Sequence, residues 1–181
     1  TNNQFTMDGQ KRGCYMKQLY LTGFMGSGKS TVGNILAEQL GVQGTDTDRL
    51  IEEQAKMSIS EIFETYGEEH FRNLETALLK ELPVQNILII TGGGMILRPE
   101  NRQWMKENGI AIYLKCGMDE IKRRLQHDNS RPLLSGERFR EIQTIFDSRK
   151  NLYEEADIIV DTTGKEPAVI AREIVECLKN R

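Results

Sequence analysis

Residues 23 to 30, Gly-Phe-Met-Gly-Ser-Gly-Lys-Ser, fit the pattern G-x-x-x-x-G-K-[ST], whose chemistry is phosphate binding. Glycines at these spacings let the backbone curl until successive N–H groups converge on one anion. Lys29 supplies a cation for β- and γ-phosphates, and the Ser30 hydroxyl is a ligand for Mg²⁺. Gly26, Ser27, Gly28, Lys29, Ser30 and Thr31 are the expected nucleotide contacts. Further on, Asp46 and Asp48 stand two apart at a presumptive strand end, so both carboxylates are expected on one side. Carboxylates there suit Mg²⁺ held through water, or a proton taken from an attacking hydroxyl. An Asp- and Thr-rich turn capping the next helix is an equal reading.

Arg72 and Glu75, at i and i+3 of a helical segment, are neighbours on one face, and Glu75 can orient the guanidinium. Standing alone, the pair would be an ordinary surface ion pair. Gly92, Gly93 and Gly94 follow a buried-looking strand, so their N–H groups are expected to be free for close approach of a ligand; a plain flexible turn is the alternative. Arg131 and Arg149 add guanidinium groups whose value depends on whether the fold gathers them.

Elements must hold these groups. The apolar-alternating run Gln18–Thr22 leads into the glycine loop as a strand, and Lys29–Leu40 leads out as a helix that stops at Gly41. A weak strand spans 42–48, and 49–56 is a short helix. Ser58 caps a second, which Tyr66-Gly67 breaks before a long amphipathic helix over 68–82. Ile87–Ile90 and 110–114 are continuously apolar, as in strands covered on both faces. Helices are expected over Pro99–Asn108, 118–125, 139–156 and Pro167–Lys179, with a last strand at 157–161. Residues 126–138 read as an exposed, mobile loop. Strands alternating with helices through short connections predict a parallel α/β sheet covered on both faces, with ligands at the carboxyl ends of the strands.

At 181 residues the chain is one ordinary domain over 16–181, without an internal repeat. A formal charge of −3 gives no electrostatic case for nucleic acid or an anionic membrane, and no apolar run reaches the length of a membrane span. Three cysteines without C-x-x-C spacing suggest neither a disulfide framework nor a zinc site, so a reducing, cytoplasmic setting is expected. His70 and His127 form no metal pattern. Residues 1–15 are polar and aperiodic and lack the apolar middle of a secretory signal. They are expected to form a tail outside the domain, disordered or added for expression, with Met7 or Met16 as candidate natural starts.

Taken together, the chain resembles the shikimate kinases from about Met16 to its C-terminus. The resemblance rests on ordered motifs: Gly23-Phe-Met-Gly-Ser-Gly-Lys-Ser-Thr31, Asp46-Thr-Asp48, Phe71-Arg-x-x-Glu75, the triple glycine, Arg131-Pro-Leu-Leu134 and Arg149-x-x-Leu-Tyr-x-Glu-x-Ala156. It implies a three-layer nucleoside-monophosphate-kinase-like fold, a five-stranded parallel sheet in the order 2-3-1-4-5, and a mobile lid over the ATP site at about 126–138. It implies transfer of the ATP γ-phosphoryl to the 3-hydroxyl of shikimate, with ATP as co-substrate and Mg²⁺, by a protein that is generally a monomer. By matched position, Arg72 and Arg149 would hold the shikimate carboxylate, with Gly93 donating from its backbone. Asp48 would bond the ring hydroxyls and take the proton, Asp46 would join Ser30 at Mg²⁺, and Arg131 would approach the phosphates from the lid. Arg124, Lys165 and Pro167 would flank the adenine. The segment 42–45 is less apolar than a typical second strand of that family, and Thr91 before the glycines is unusual.

Three rivals are weighed. A related kinase, such as one for gluconate, shares the loop but not the set Asp46, Asp48, Arg72, Glu75 and Arg149. A GTP-binding switch is opposed because Asp161-Thr-Thr-Gly164 lies far downstream of the loop and no Asn-Lys-x-Asp motif exists. Leu134-Ser-Gly136 likewise carries little in one short domain. A kinase-like protein that only binds ligand is opposed by Lys29, Ser30, Asp48 and Arg131 standing intact.

Overall fold

The computed structural model describes residues 16–126 and 136–181. Five parallel strands, β1 (Gln18–Thr22), β2 (Gln43–Asp46), β3 (Ile87–Ile90), β4 (Gly109–Lys115) and β5 (Ile158–Asp161), form one sheet in the order β2-β3-β1-β4-β5. The register sets Leu19 beside Leu88 and Ile110, and Leu21 beside Ile90 and Ile112.

Alternation along the strands divides the core. Leu19, Leu21, Leu88, Ile90, Ile112 and Leu114 face α1 (Lys29–Leu40) and α7 (Pro167–Lys179), meeting Val32, Leu36, Ile170 and Ile174. Tyr20, Ile89 and Tyr113 face the opposite layer, where α3 (Ile59–Glu81), α4 (Pro99–Asn108), α5 (Met118–Gln126) and α6 (Gly136–Tyr153) contribute Leu79, Met105, Ile121 and Ile142. A satellite cluster of Ile51, Ile62, Phe71 and Leu78 joins α2 (Thr47–Ala55) to α3. The result is the three-layer α/β architecture read from the sequence.

Two oddities of composition find reasons. β2 is an edge strand, paired with β3 alone and largely exposed, so its polar residues cost little. Thr91 is buried, and its hydroxyl donates to the Leu21 carbonyl at 3.1 Å, tying the end of β3 to β1.

The Tyr66-Gly67 break is where it was expected: Gly67 leaves helical geometry (φ 83°, ψ 168°), and α3 is two helical segments meeting at that kink. Other boundaries move. A 3-10 turn at Met95–Leu97, unforeseen in the sequence, follows the glycines. α6 covers 136–153 rather than 139–156, because the chain leaves it directly for β5. His70 is exposed against the Tyr66 ring. The lid segment, Arg131, His127 and the tail 1–15 lie outside the described residues, apart from the ends of the lid in α5 and α6.

Candidate active site

The glycine loop joins β1 to α1 at the carboxyl edge of the sheet. Gly28, with φ 91°, stands at the N-cap of α1 and offers no side-chain cap, which leaves the first N–H groups of the helix for an anion. Lys29 bends back across the loop, donating to the Gly23 and Phe24 carbonyls at 2.8 and 3.0 Å. Ser27 is fully buried and its hydroxyl has no partner; Thr31 is exposed on the first helical turn. Beside the loop, Arg124 reaches the Gly26 carbonyl at 3.3 Å and the Thr162 carbonyl at 3.4 Å, so α5 bridges the loop to the turn before α7. The Lys165 N–H donates to the Thr162 carbonyl at 3.2 Å, while its ammonium pairs with Glu173 at 2.8 Å; Pro167 opens α7.

Asp46 and Asp48 do not share a strand. Asp46 ends β2 and caps α2, its Oδ1 accepting from the Asp48 and Arg49 N–H groups, while its Oδ2 takes the Ser30 hydroxyl at 3.1 Å. The capping reading therefore holds for Asp46, and the same side chain also meets the phosphate loop through Ser30. Asp48 sits in the first turn of α2 instead, because the strand stops at Asp46, two residues sooner than expected. It still turns toward the loop, close enough to sense Lys29 and Arg72. Burial pushes its carboxyl up, Asp46 adds to the rise, and Lys29 and Arg72 oppose it.

Across from Asp48, Arg72 and Glu75 form a nearly buried pair, Nη1 to Oε2 at 2.5 Å, with side chains 12% and 1% exposed. Arg72 also meets Glu68 at 3.1 Å and lies over the Phe71 ring at 5.2 Å. This is no surface ion pair. Burial drives the Glu75 carboxyl up to about 7 despite the Arg72 charge, with Asp48 raising it further and Arg149 pulling it down. Among the described residues, Glu75 Oε1 and Asp48 Oδ1 are buried with no hydrogen-bond partner. Arg149, half-buried on α6, acts on the same Glu75 carboxyl as Arg72, so the fold brings near each other the guanidiniums whose gathering the sequence left open.

The triple glycine works differently from the expectation. The Gly92 N–H is not free for a ligand, since it donates to the buried Thr47 hydroxyl at 2.9 Å. A methyl at Gly92 would overlap the Asp48 and Glu75 carboxylates, and one at Gly94 would overlap the Arg72 guanidinium. Two of the glycines thus make room for the protein's own charged side chains. Gly93 has ordinary space around it, and its carbonyl accepts from the Tyr153 hydroxyl at 2.5 Å. Sequence reasoning missed Thr47 and Tyr153. The i, i+4 spacing of Arg149 and Tyr153 on a helix was the available signal for the second.

An anion cradle at the carboxyl ends of parallel strands thus faces two poised carboxylates, on α2 and α3, and a locked guanidinium on α3. That is the plan of a P-loop kinase for a small molecule. Similarity to known proteins narrows the class. The family profile described as shikimate kinase matches residues 25–179. A shikimate kinase of Bacillus mycoides is 46% identical over 159 residues, spanning 88% of this chain and 96% of that protein. The solved shikimate kinase of Acinetobacter baumannii, in complex with shikimate, superposes with a TM-score of 0.84 at 34% identity, covering 91% of this chain and 94% of the other. A gluconokinase of Sinorhizobium meliloti reaches a TM-score of 0.62 at 16% identity, which is a likeness of fold alone. The chain belongs to the shikimate kinase family.

Proposed function

We propose that this ATP-dependent kinase transfers the γ-phosphoryl of ATP to the 3-hydroxyl of shikimate, giving shikimate 3-phosphate and ADP on the route to aromatic amino acids. The observation that carries the reading is the buried Arg72–Glu75 pair facing Asp48 across from the phosphate loop. A small carboxylic acid calls for planar, two-pronged guanidinium partners, and a chain of net charge −3 must supply them locally.

In this reading Arg72 and Arg149 grip the substrate carboxylate, with the Gly93 N–H as a further donor. Asp48 bonds the ring hydroxyls and takes the proton of the attacking one; a carboxyl raised by burial is the better base for that task. Gly26, Ser27, Gly28, Lys29, Ser30 and Thr31 hold the phosphates, and Arg131 contributes from the lid. Arg124, Lys165 and Pro167 line the adenine side. Phosphoryl transfer asks for positioning and charge neutralisation more than covalent help. The Ser30–Asp46 pair, oxygens only and 3.1 Å apart, suits Mg²⁺ that keeps several waters. Bound there, the ion would neutralise charge building on the phosphates.

Partners beyond shikimate and ATP are not called for, and a cytoplasmic monomer fits this reading. Among the described residues no helix is long and apolar enough to cross a membrane, and the large exposed apolar side chains Tyr66, Val84 and Ile159 sit on separate elements. The purified chain should release ADP from ATP in the presence of shikimate and not of gluconate. ADP release driven by gluconate, with shikimate inert, would reassign the acceptor.

A further inference from the structure

Tyr153 is 1% exposed at the last turn of α6, and its ring stacks on Tyr113 of β4 with centroids 5.0 Å apart and planes 10° from parallel. The ring is therefore pinned by a central strand. Its hydroxyl donates to the Gly93 carbonyl at 2.5 Å. One helical turn earlier, the Arg149 guanidinium lies beside the same hydroxyl and acts on it. A phenol can serve both, because it donates once and keeps lone pairs to accept. A second tie runs alongside: Glu155 pairs with Arg102 at 2.9 Å, and Arg102 donates to the Ile96 carbonyl at 2.8 Å in the turn after the glycines.

We propose that Tyr153 is a positioning residue for acceptor binding, its hydroxyl holding the Gly93 backbone and the Arg149 side chain in one register. The inference rests on the reading of Gly93 and Arg149 as partners of the shikimate carboxylate. Those groups lie on elements far apart in sequence, and two-point recognition of a planar anion tolerates little relative drift. Tyr153 touches neither substrate nor nucleotide; it acts through the groups that do. Packing alone would need the ring and not the oxygen, and the two are separable.

Tyr153→Phe keeps the stack and removes only the bonds. It should raise the shikimate KM and the calorimetric Kd for shikimate about tenfold, a loss of about 1.4 kcal/mol, with the ATP KM within about twofold. Tyr153→Leu, which also loses the stack, should lower the melting temperature as well. Arg149→Lys, measured beside them, separates the two readings. If Arg149→Lys weakens shikimate binding while Tyr153→Phe leaves it within about twofold, the Tyr153 role is overturned and the carboxylate site stands. If Arg149→Lys leaves shikimate affinity unchanged, the carboxylate reading falls and this role with it. A Tyr153→Phe variant that weakens shikimate and ATP equally overturns the role too, in favour of packing.

Discussion

Lys29 is a cation at the point where the transferring phosphoryl gathers charge, and the Gly23 and Phe24 carbonyls that accept from it at 2.8 and 3.0 Å compete with an incoming phosphate. Lys29→Ala should lower kcat by about two orders of magnitude or more while circular dichroism stays native; a variant keeping most of its kcat would remove Lys29 from the chemistry. At Gly94 the constraint is steric. A methyl would occupy the place of the Arg72 guanidinium, so Gly94→Ala should raise the shikimate KM about tenfold or more and leave the ATP KM alone. Equal effects on both substrates would contradict this. Glu75 brings a pH dependence. Its folded carboxyl, raised to about 7 from the usual 4.5, binds a proton more tightly than the unfolded one. The native state then holds more protons between those values, and stability falls as pH rises through the window. Asp48, also raised, falls the same way and keeps part of the slope. Glu75→Gln should flatten the decline, read by urea unfolding at several pH values. Parallel profiles for variant and wild type would show that Glu75 does not titrate there. Much of this scale was legible: Arg72, Glu75, Asp48 and Arg149 were all named from residue type and spacing. The service of Gly92 and Gly94 was not, because it depends on side chains arriving from α2 and α3, and no local pattern encodes that meeting.

The acceptor-side groups are carried by two helices with opposite styles of anchoring. α2 starts from Asp46, whose carboxylate caps it and also meets Ser30, so helix start and phosphate loop are fixed together. α3 starts from a capping box in which Ser58 and Glu61 satisfy each other's backbone N–H groups. Removing one half, as in Ser58→Ala, should cost about 1 kcal/mol in unfolding free energy with kinetics near wild type, since Arg72 and Glu75 lie beyond the kink at Gly67. A large change in shikimate KM would show instead that the first turns of α3 steer its second half. Helix limits were readable where a cap or a breaker marks them: α1 ends before Gly41 and α7 begins at Pro167. They were misread where tertiary contacts decide, as at the end of α6 and in the short turn after the glycines.

The two core clusters lie on opposite faces of the sheet; the site rises above its carboxyl edge, reaching into one cluster through Phe24 and Tyr153 while the cluster beneath α1 and α7 holds none of its residues. Damage to the latter cluster should therefore appear as lost stability before lost specificity. Leu36→Ala, beneath the phosphate loop on α1, should cost about 2–5 kcal/mol in urea unfolding while the shikimate KM holds at temperatures where the variant is folded. A raised KM in fully folded protein would mean that the α1 layer tunes the acceptor site. The strand order was implied by the family resemblance, and the observed 2-3-1-4-5 sheet agrees with it. By itself the sequence named the phosphate-binding motif, the layered α/β plan and charged residues that the fold then brings near one another. A motif held within eight consecutive residues carries its own geometry, and periodicity reports burial directly. Only the tertiary structure decided that Asp46 serves two masters, that two glycines clear space for carboxylates and a guanidinium, and that Tyr153 spans Gly93 and Arg149. Each of these is a contact between groups far apart along the chain, fixed by how helices settle on the sheet.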